Sequence, residues 1–293
     1  MNKLIVITGP TAVGKTSATI EAARRLRTEI ISCDSRQMYR EMRIGTAVPT
    51  AEELASVPHH FIGNLSIHDY YNVSMFEQEC LQLLDQLFAK YQTVVMTGGS
   101  GLYIDALCRG IDDFPTVDPE IRKTVTCWFE SGGIEYLRRQ LKALDPEHYA
   151  KVDLRNYKRI MKAIEVSLQT GKPYSSFLTA QEQKRPFDIK KIVLNRPREE
   201  LFERINRRTT QMMEEGLLEE ARALYPYRHL NALNTVGYKE LFAYMDGQYD
   251  LDTAVELIRR NTRRYAKRQL TWFARDKEMT WLLPEQYKDI GGY

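Results

Sequence analysis

Gly9-Pro10-Thr11-Ala12-Val13-Gly14-Lys15-Thr16 leaves little chemical choice. Spaced glycines let backbone N–H groups close around phosphate oxygens, Lys15 adds a cation, and the Thr16 hydroxyl can reach Mg²⁺. The helix expected next would point its positive end at the same anion. This pattern predicts an enzyme that grips a pyrophosphate-bearing small molecule. It does not name the ligand: kinase, NTPase and pyrophosphate-releasing transferase all remain open.

Two further loops carry chemistry. Ser32-Cys33-Asp34-Ser35-Arg36-Gln37-Met38-Tyr39 places a carboxylate, Asp34, where it could act as a base or metal ligand, or as a helix cap. Gly98-Gly99-Ser100-Gly101-Leu102-Tyr103 combines close backbone approach with the Ser100 hydroxyl, or is a tight turn. His59-His60 has no third ligand at metal spacing, so a structural role is expected. Arg259, Arg260, Arg263, Arg264, Lys267 and Arg268 crowd one predicted helix, with residues 260, 264, 267 and 268 on one face. A second basic group is Arg155, Lys158, Arg159 and Lys162. Clusters like these favour a phosphate-rich partner over a merely solvated face.

The elements that must position these residues follow from hydrophobic pattern. Leu4-Ile5-Val6-Ile7-Thr8 and Thr93-Val94-Val95-Met96-Thr97 read as buried parallel strands, and Glu29-Ile30-Ile31-Ser32 as a shorter one. Helices are expected from about Ser17 to Arg27 and over 74–90, the latter capped by Ser74. Alternation of strand and helix predicts a right-handed parallel sheet with ligands at the strand C-termini. Residues 119–183 show helical patterns without a strand. A strand at Ile189–Asn195, helices at 198–214, 216–225, 237–246 and 251–274, and an edge strand at Trp281-Leu282-Leu283 complete the pattern. The expected fold is α/β, a P-loop NTPase-like parallel sheet core over 1–112 and 187–293, interrupted by an all-helical insertion over 113–186.

Composition limits the alternatives. Lys and Arg number 42 against 39 Asp and Glu, a net charge of only +3, so nucleic-acid binding has to come from clustering. No apolar run approaches a membrane span, and the N-terminus lacks a signal-peptide pattern. The cysteines Cys33, Cys80, Cys108 and Cys127 show no C-x-x-C spacing and are expected as reduced thiols of a cytoplasmic protein.

Taken in order, the motifs resemble the tRNA dimethylallyltransferases in their bacterial form. The matching stretches are GPTAVGKT (9–16), DSRQMY (34–39), IGTAVPT (44–50), PHHFI (58–62), GGSGLY (98–103), NYKRIMKAIEV (156–166), TVGYKE (235–240) and RYAKRQLTWF (264–273). Lys162 stands where the family usually has Arg, Ser100 where it more often has Thr, and residues 63–66 lack its common Asp. A bacterial-type enzyme, without the zinc-finger extension of eukaryotic relatives, is expected.

The resemblance implies transfer of a dimethylallyl group from dimethylallyl diphosphate to the exocyclic amine of the adenosine 3′ of the anticodon, in tRNAs that read codons beginning with U. It implies Mg²⁺ held through Thr16, the diphosphate in the loop Gly9 to Thr16 with Arg204 and Arg208 near it, and Asp34 and Ser100 as catalytic groups. Gln37 would read the adenine edge, which an amide can pair bidentately. The implied tRNA contacts are Asp34, Ser35, Arg36, Gln37, Ser100, Arg122, Lys158, Arg159, Ile160, Met161, Lys162, Arg264, Lys267 and Arg268. The partner would be the tRNA anticodon stem-loop, with no membrane, and the chain a monomer. Two other readings compete: a small-molecule P-loop kinase using ATP, and a non-catalytic RNA-binding protein with a nucleotide switch.

Overall fold

The computed structural model describes residues 1–112, 114–179 and 182–289. The chain divides into two compact units, Met1–Arg109 with Lys184–Tyr293, and Gly110–Gln183. The insertion thus begins and ends three residues before the expected 113–186. The reason lies at its exit: Arg185 is anchored in the first unit, donating to the Leu107 carbonyl at 2.8 Å and pairing with buried Glu77, and Phe187 packs into that unit's core.

The first unit is built on a six-stranded parallel sheet ordered β3-β2-β4-β1-β5-β6. Its strands are β1 (Lys3–Thr8), β2 (Ile30–Ser32), β3 (His59–His60), β4 (Thr93–Gly98), β5 (Asp188–Leu194) and β6 (Thr280–Leu282). Central β1 pairs with β4 from Lys3↔Thr93 to Thr8↔Gly98 and with β5 from Lys3↔Asp188 to Thr8↔Val193. Leu4, Ile5, Val6 and Ile7 are at most 2% exposed, which is why this strand reads as an unbroken apolar run rather than an alternation. The register brings the ends of β1, β2 and β4 to one edge, so the loops after Thr8, Ser32 and Gly98 become neighbours.

Around the sheet lie α1 (Lys15–Leu26), α2 (Ala51–Ser56), α3 (Val73–Phe88), α4 (Gly101–Arg109), α8 (Arg198–Glu214), α9 (Leu217–Leu224), α10 (Tyr238–Met245) and α11 (Leu251–Phe273). The start of α3 differs from expectation. Asn72, not Ser74, is the cap: its backbone is extended and its side chain accepts from Met75 N at 3.0 Å. Along α11 the buried positions are Ala254, Ile258, Ala266, Gln269 and Phe273, a stripe with helical spacing that contains one polar member.

The second unit, taken by itself, contains α5 (Pro119–Leu144), α6 (Pro146–Lys151) and α7 (Tyr157–Thr170). Gly133, at φ 63 and ψ −167, breaks α5. Val125, Leu137, Leu141, Ile160, Ala163 and Ile164 form its core. Buried Asp145 caps α6 through His148 N at 2.9 Å and accepts from Ser175 N at 2.6 Å.

Candidate active site

The phosphate loop joins β1 to α1, and Lys15 and Thr16 are the first two residues of that helix rather than residues ahead of it. Side chains from distant elements fix the loop. Arg204 Nε donates to the Ala12 carbonyl at 2.8 Å, Arg196 Nε donates to the Val13 carbonyl at 2.9 Å, and Gln269 Oε1 accepts from Thr11 N at 2.9 Å. Among the described residues the N–H groups of Ala12 and Gly14 have no protein acceptor. The Val13 side chain is wholly buried, so that residue can serve an anion only through its backbone.

Lys15 Nζ donates to the Gly9 carbonyl at 3.0 Å and the Pro10 carbonyl at 2.9 Å. Burial lowers its pKa to about 8, with the Asp34 charge opposing and the Arg208 charge assisting. Burial also lowers the Arg208 guanidinium below its ordinary value, against the pull of Asp34. Lys15, Thr16, Asp34, Arg204 and Arg208 line one cavity of about 710 Å³.

Asp34 follows the end of β2. Its Oδ1 accepts from Arg36 N at 2.9 Å and Gln37 N at 3.3 Å, which closes a turn rather than capping a helix. Among the described residues Oδ2 accepts no hydrogen bond. One oxygen therefore closes the turn while the other takes no part in it. Ser100 Oγ accepts from Ser35 N at 3.0 Å and donates to Ser35 Oγ at 3.1 Å, binding the loops after β2 and β4 together.

Some expected contacts change role. Gln37 Nε2 donates to the Thr46 carbonyl at 3.1 Å and the Ala47 carbonyl at 2.9 Å, so the donor needed for bidentate adenine reading is already engaged. Arg36 Nη1 donates to the carbonyls of Asn231 at 3.2 Å and Ala232 at 3.0 Å. On α11, Arg259 pairs with Glu256 and donates to Thr210, and Arg263 donates to Asn206 at 2.6 Å, so these two arginines brace helix against helix. Arg260, Arg264, Lys267 and Arg268 do share an exposed face. Tyr265 and Arg268 line a second cavity of about 350 Å³, which also includes Asp34, Ser35 and Arg208.

In the helical unit Lys158 and Arg159 are exposed, and Lys162 lies 5.5 Å from the Phe114 ring centroid. Arg122 Nε stands 3.9 Å from Glu165. Ile160 is fully buried and Met161 packs against the same core, so Ile160 is a core residue and not an RNA contact. On the sheet edge His60 Nε2 meets Glu29 Oε2 at 2.6 Å, in keeping with the expected structural role.

The sequence reading missed Arg196, Gln269 and Trp272. Gln269 bridges two loops, because its Nε2 also donates to the Gly99 carbonyl at 2.9 Å. Trp272 Nε1 donates to Asp105 at 2.9 Å. A signal for Gln269 existed: it falls between Ala266 and Phe273 on the buried stripe of α11, where a polar residue requires partners.

Comparison with known proteins decides among the open chemistries. The family profile described as IPP transferase matches residues 37–276. The chain belongs to the IPP transferase family. Among members of this family, the protein named tRNA dimethylallyltransferase 2 of Parabacteroides distasonis is 54% identical over 290 residues, covering 99% of this chain and 97% of that one. Another, tRNA dimethylallyltransferase 1 of Bacteroides fragilis, is 53% identical, covering 99% and 96%. The crystal structure of the full-length tRNA isopentenylpyrophosphate transferase of Bacillus halodurans superposes with a TM-score of 0.72 at 36% identity, covering 100% of this chain and 96% of that one. A eukaryotic dimethylallyltransferase captured acting on tRNA gives a TM-score of 0.82 at 26% identity, covering 97% and 74%. The IPP transferase match removes the kinase and nucleotide-switch readings, and the parallel sheet with its phosphate loop is the P-loop-like α/β fold of these transferases.

Proposed function

We infer that this chain transfers the dimethylallyl group of dimethylallyl diphosphate to the exocyclic amine of the adenosine 3′ of the anticodon, in tRNAs reading codons that begin with U. The products are isopentenyladenosine and diphosphate. The observation that carries the reading is that Lys15, Thr16, Arg204 and Arg208 line the same cavity as Asp34. A diphosphate grip and a carboxylate thus serve one space, as a displacement at an allylic carbon requires.

In this reading the bond between amine nitrogen and allylic carbon forms as the bond from that carbon to the diphosphate oxygen breaks. Lys15, Arg204 and Arg208, with the loop N–H groups, stabilise the charge that gathers on the leaving diphosphate. Asp34 takes the proton from the nitrogen. A free Asp titrates at about 3.9, so it removes that proton during or after attack, not before. Ser100, whose one O–H donates to Ser35, accepts a hydrogen bond from the amine; holding the bridging oxygen instead would require that proton to turn away from Ser35.

Mg²⁺ fits the residues present. Among the described residues no group of three or more His, Cys, Asp or Glu side chains gathers as a metal site. The Thr16 hydroxyl suits an ion that keeps several waters and takes its other ligands from substrate phosphates. When bound, the ion neutralises charge on the diphosphate.

The adenine, unstacked from the loop at a cost of about a few kcal/mol, would reach Asp34 through the second cavity. Arg264, Lys267 and Arg268 would hold RNA phosphates on the first unit, and Lys158, Arg159 and Lys162, with Arg122, on the second. The chain would act as a cytoplasmic monomer; among the described residues no helix is long and apolar enough to cross a membrane.

The test incubates purified protein with labelled dimethylallyl diphosphate, Mg²⁺ and unmodified tRNA. Label is expected in the tRNA, and its loss when Mg²⁺ is chelated. Absence of transfer under all conditions overturns the reading.

A further inference from the structure

Two motifs, IGTAVPT and TVGYKE, contain no group used in the chemistry above, yet the structure joins them. The joint is Glu220, on α9. Its Oε2 accepts from Arg43 N and Ile44 N, each at 2.9 Å, and its Oε1 accepts from Gly45 N at 3.0 Å. The Tyr238 hydroxyl, from the first residue of α10, donates to the same Oε1 at 2.6 Å. One carboxylate thus collects three successive backbone N–H groups and a phenol. Tyr238 is fully buried, and a Cβ on Gly45 would stand 2.6 Å from its ring, so only glycine lets the loop lie against it. From the other side, Gln37 Nε2 holds the carbonyls of Thr46 and Ala47.

The segment so pinned is a wall of the large cavity. Ile44, Val48 and Pro49 line it, while Lys15, Arg204 and Arg208 line another part of the same space. The segment has no helix or strand ladder of its own to hold its shape, and Ala47 sits at φ 51. Its backbone donors would otherwise go to water.

We propose that Glu220, braced by Tyr238, is a positioning residue for the allylic substrate: it sets the backbone of residues 43–45 so that Ile44, Val48 and Pro49 form the apolar surface against which the five-carbon chain packs. The proposal rests on the transferase reading for the identity of that chain. Glu220 touches no reacting atom. Its effect passes through the loop, and falls on the apolar tail rather than on the diphosphate.

The experiment separates tail from head by comparing binding of dimethylallyl diphosphate and inorganic diphosphate, each with Mg²⁺, by calorimetry without tRNA. In the unsubstituted protein the tail should tighten binding by about tenfold, the order expected for burying about two methylene groups. In Glu220→Gln an amide donor faces backbone donors, so this preference should shrink to about threefold or less while affinity for inorganic diphosphate is unchanged. Tyr238→Phe keeps the ring against Gly45 and removes one donor, so it should show the same change in smaller degree. Should Glu220→Gln fail to fold, Tyr238→Phe still decides. Amide hydrogen exchange gives a second reading: residues 43–48 should exchange faster in the variants, with β1 and β4 unaffected.

A tail that adds no affinity in the unsubstituted protein overturns the proposal. So does a variant that keeps the full preference, or one that loses head and tail affinity alike. Failure of the transferase reading looks different: the tail preference and its loss on substitution would stand while no label reaches tRNA.

Discussion

The Gln269 side chain donates to the Gly99 carbonyl at 2.9 Å, and a Cβ on Gly99 would stand 2.3 Å from that same nitrogen. Since Gln269 Oε1 also holds Thr11 N, one buried amide fixes the spacing between the phosphate loop and the loop that carries Ser100. Gln269→Ala leaves a backbone donor and a backbone acceptor without partners, at a cost of about 1–3 kcal/mol. Thermal unfolding should fall by several degrees, and KM for the diphosphate substrate should rise. Gly99→Ala should do the same by displacing the amide. An unchanged melting temperature in both would contradict the bridge.

Asp34 separates its two duties by oxygen atom. Asn in its place can still accept from Arg36 N and Gln37 N, so the turn should persist. Asp34→Asn should therefore keep the wild-type melting temperature and tRNA affinity while losing about 10²–10⁴-fold in transfer rate. Single-turnover transfer, read beside a tRNA-binding assay, checks this. Full activity would exclude Asp34 as the base.

Lys15 offers a pH test. Its pKa in the unliganded protein is lowered to about 8, chiefly by burial. The protonated form binds diphosphate, so affinity should be flat below that value and weaken as pH rises through it. Calorimetric titration between pH 7 and 9 measures the slope. Lys15→Arg stays charged across the range and should bind with a shallower pH dependence. Identical profiles for the two proteins would rule out Lys15 as the titrating group.

The exposed α11 face makes an electrostatic prediction. Replacing Arg264, Lys267 and Arg268 together by Ala should weaken tRNA binding and lower the dependence of log K on log salt by about two, or roughly 0.7 for each lost phosphate contact on unpaired RNA. Affinity for dimethylallyl diphosphate should not move. The same change at Arg259 and Arg263 should instead reduce stability, because those side chains bond to Glu256, Thr210 and Asn206.

Elements whose signal is local are legible in the sequence alone. The Leu4–Thr8 run, the helix at 198–214 and the phosphate loop each follow from neighbouring residues: β-branched side chains, a 3.6-residue period, glycines at set spacing. Caps were less legible, since Asn72 and Ser74 are both good cap residues and backbone conformation chose between them. The clustering of charge is visible in the sequence, but which cations face water depends on what packs beside α11. Ile160 shows the same limit, lying in a basic motif yet facing the core of its unit.

By itself, then, the sequence determined the strand-and-helix alternation, the phosphate-loop pattern at Gly9 to Thr16, and the carboxylate at the end of the second strand. Each depends on contacts within a few residues. Only the tertiary structure decided that Gln269 holds Thr11, 258 residues away, and that Glu220 holds Gly45, 175 residues away. Such bonds have no period and no spacing. They exist because buried backbone groups must find partners wherever folding brings them.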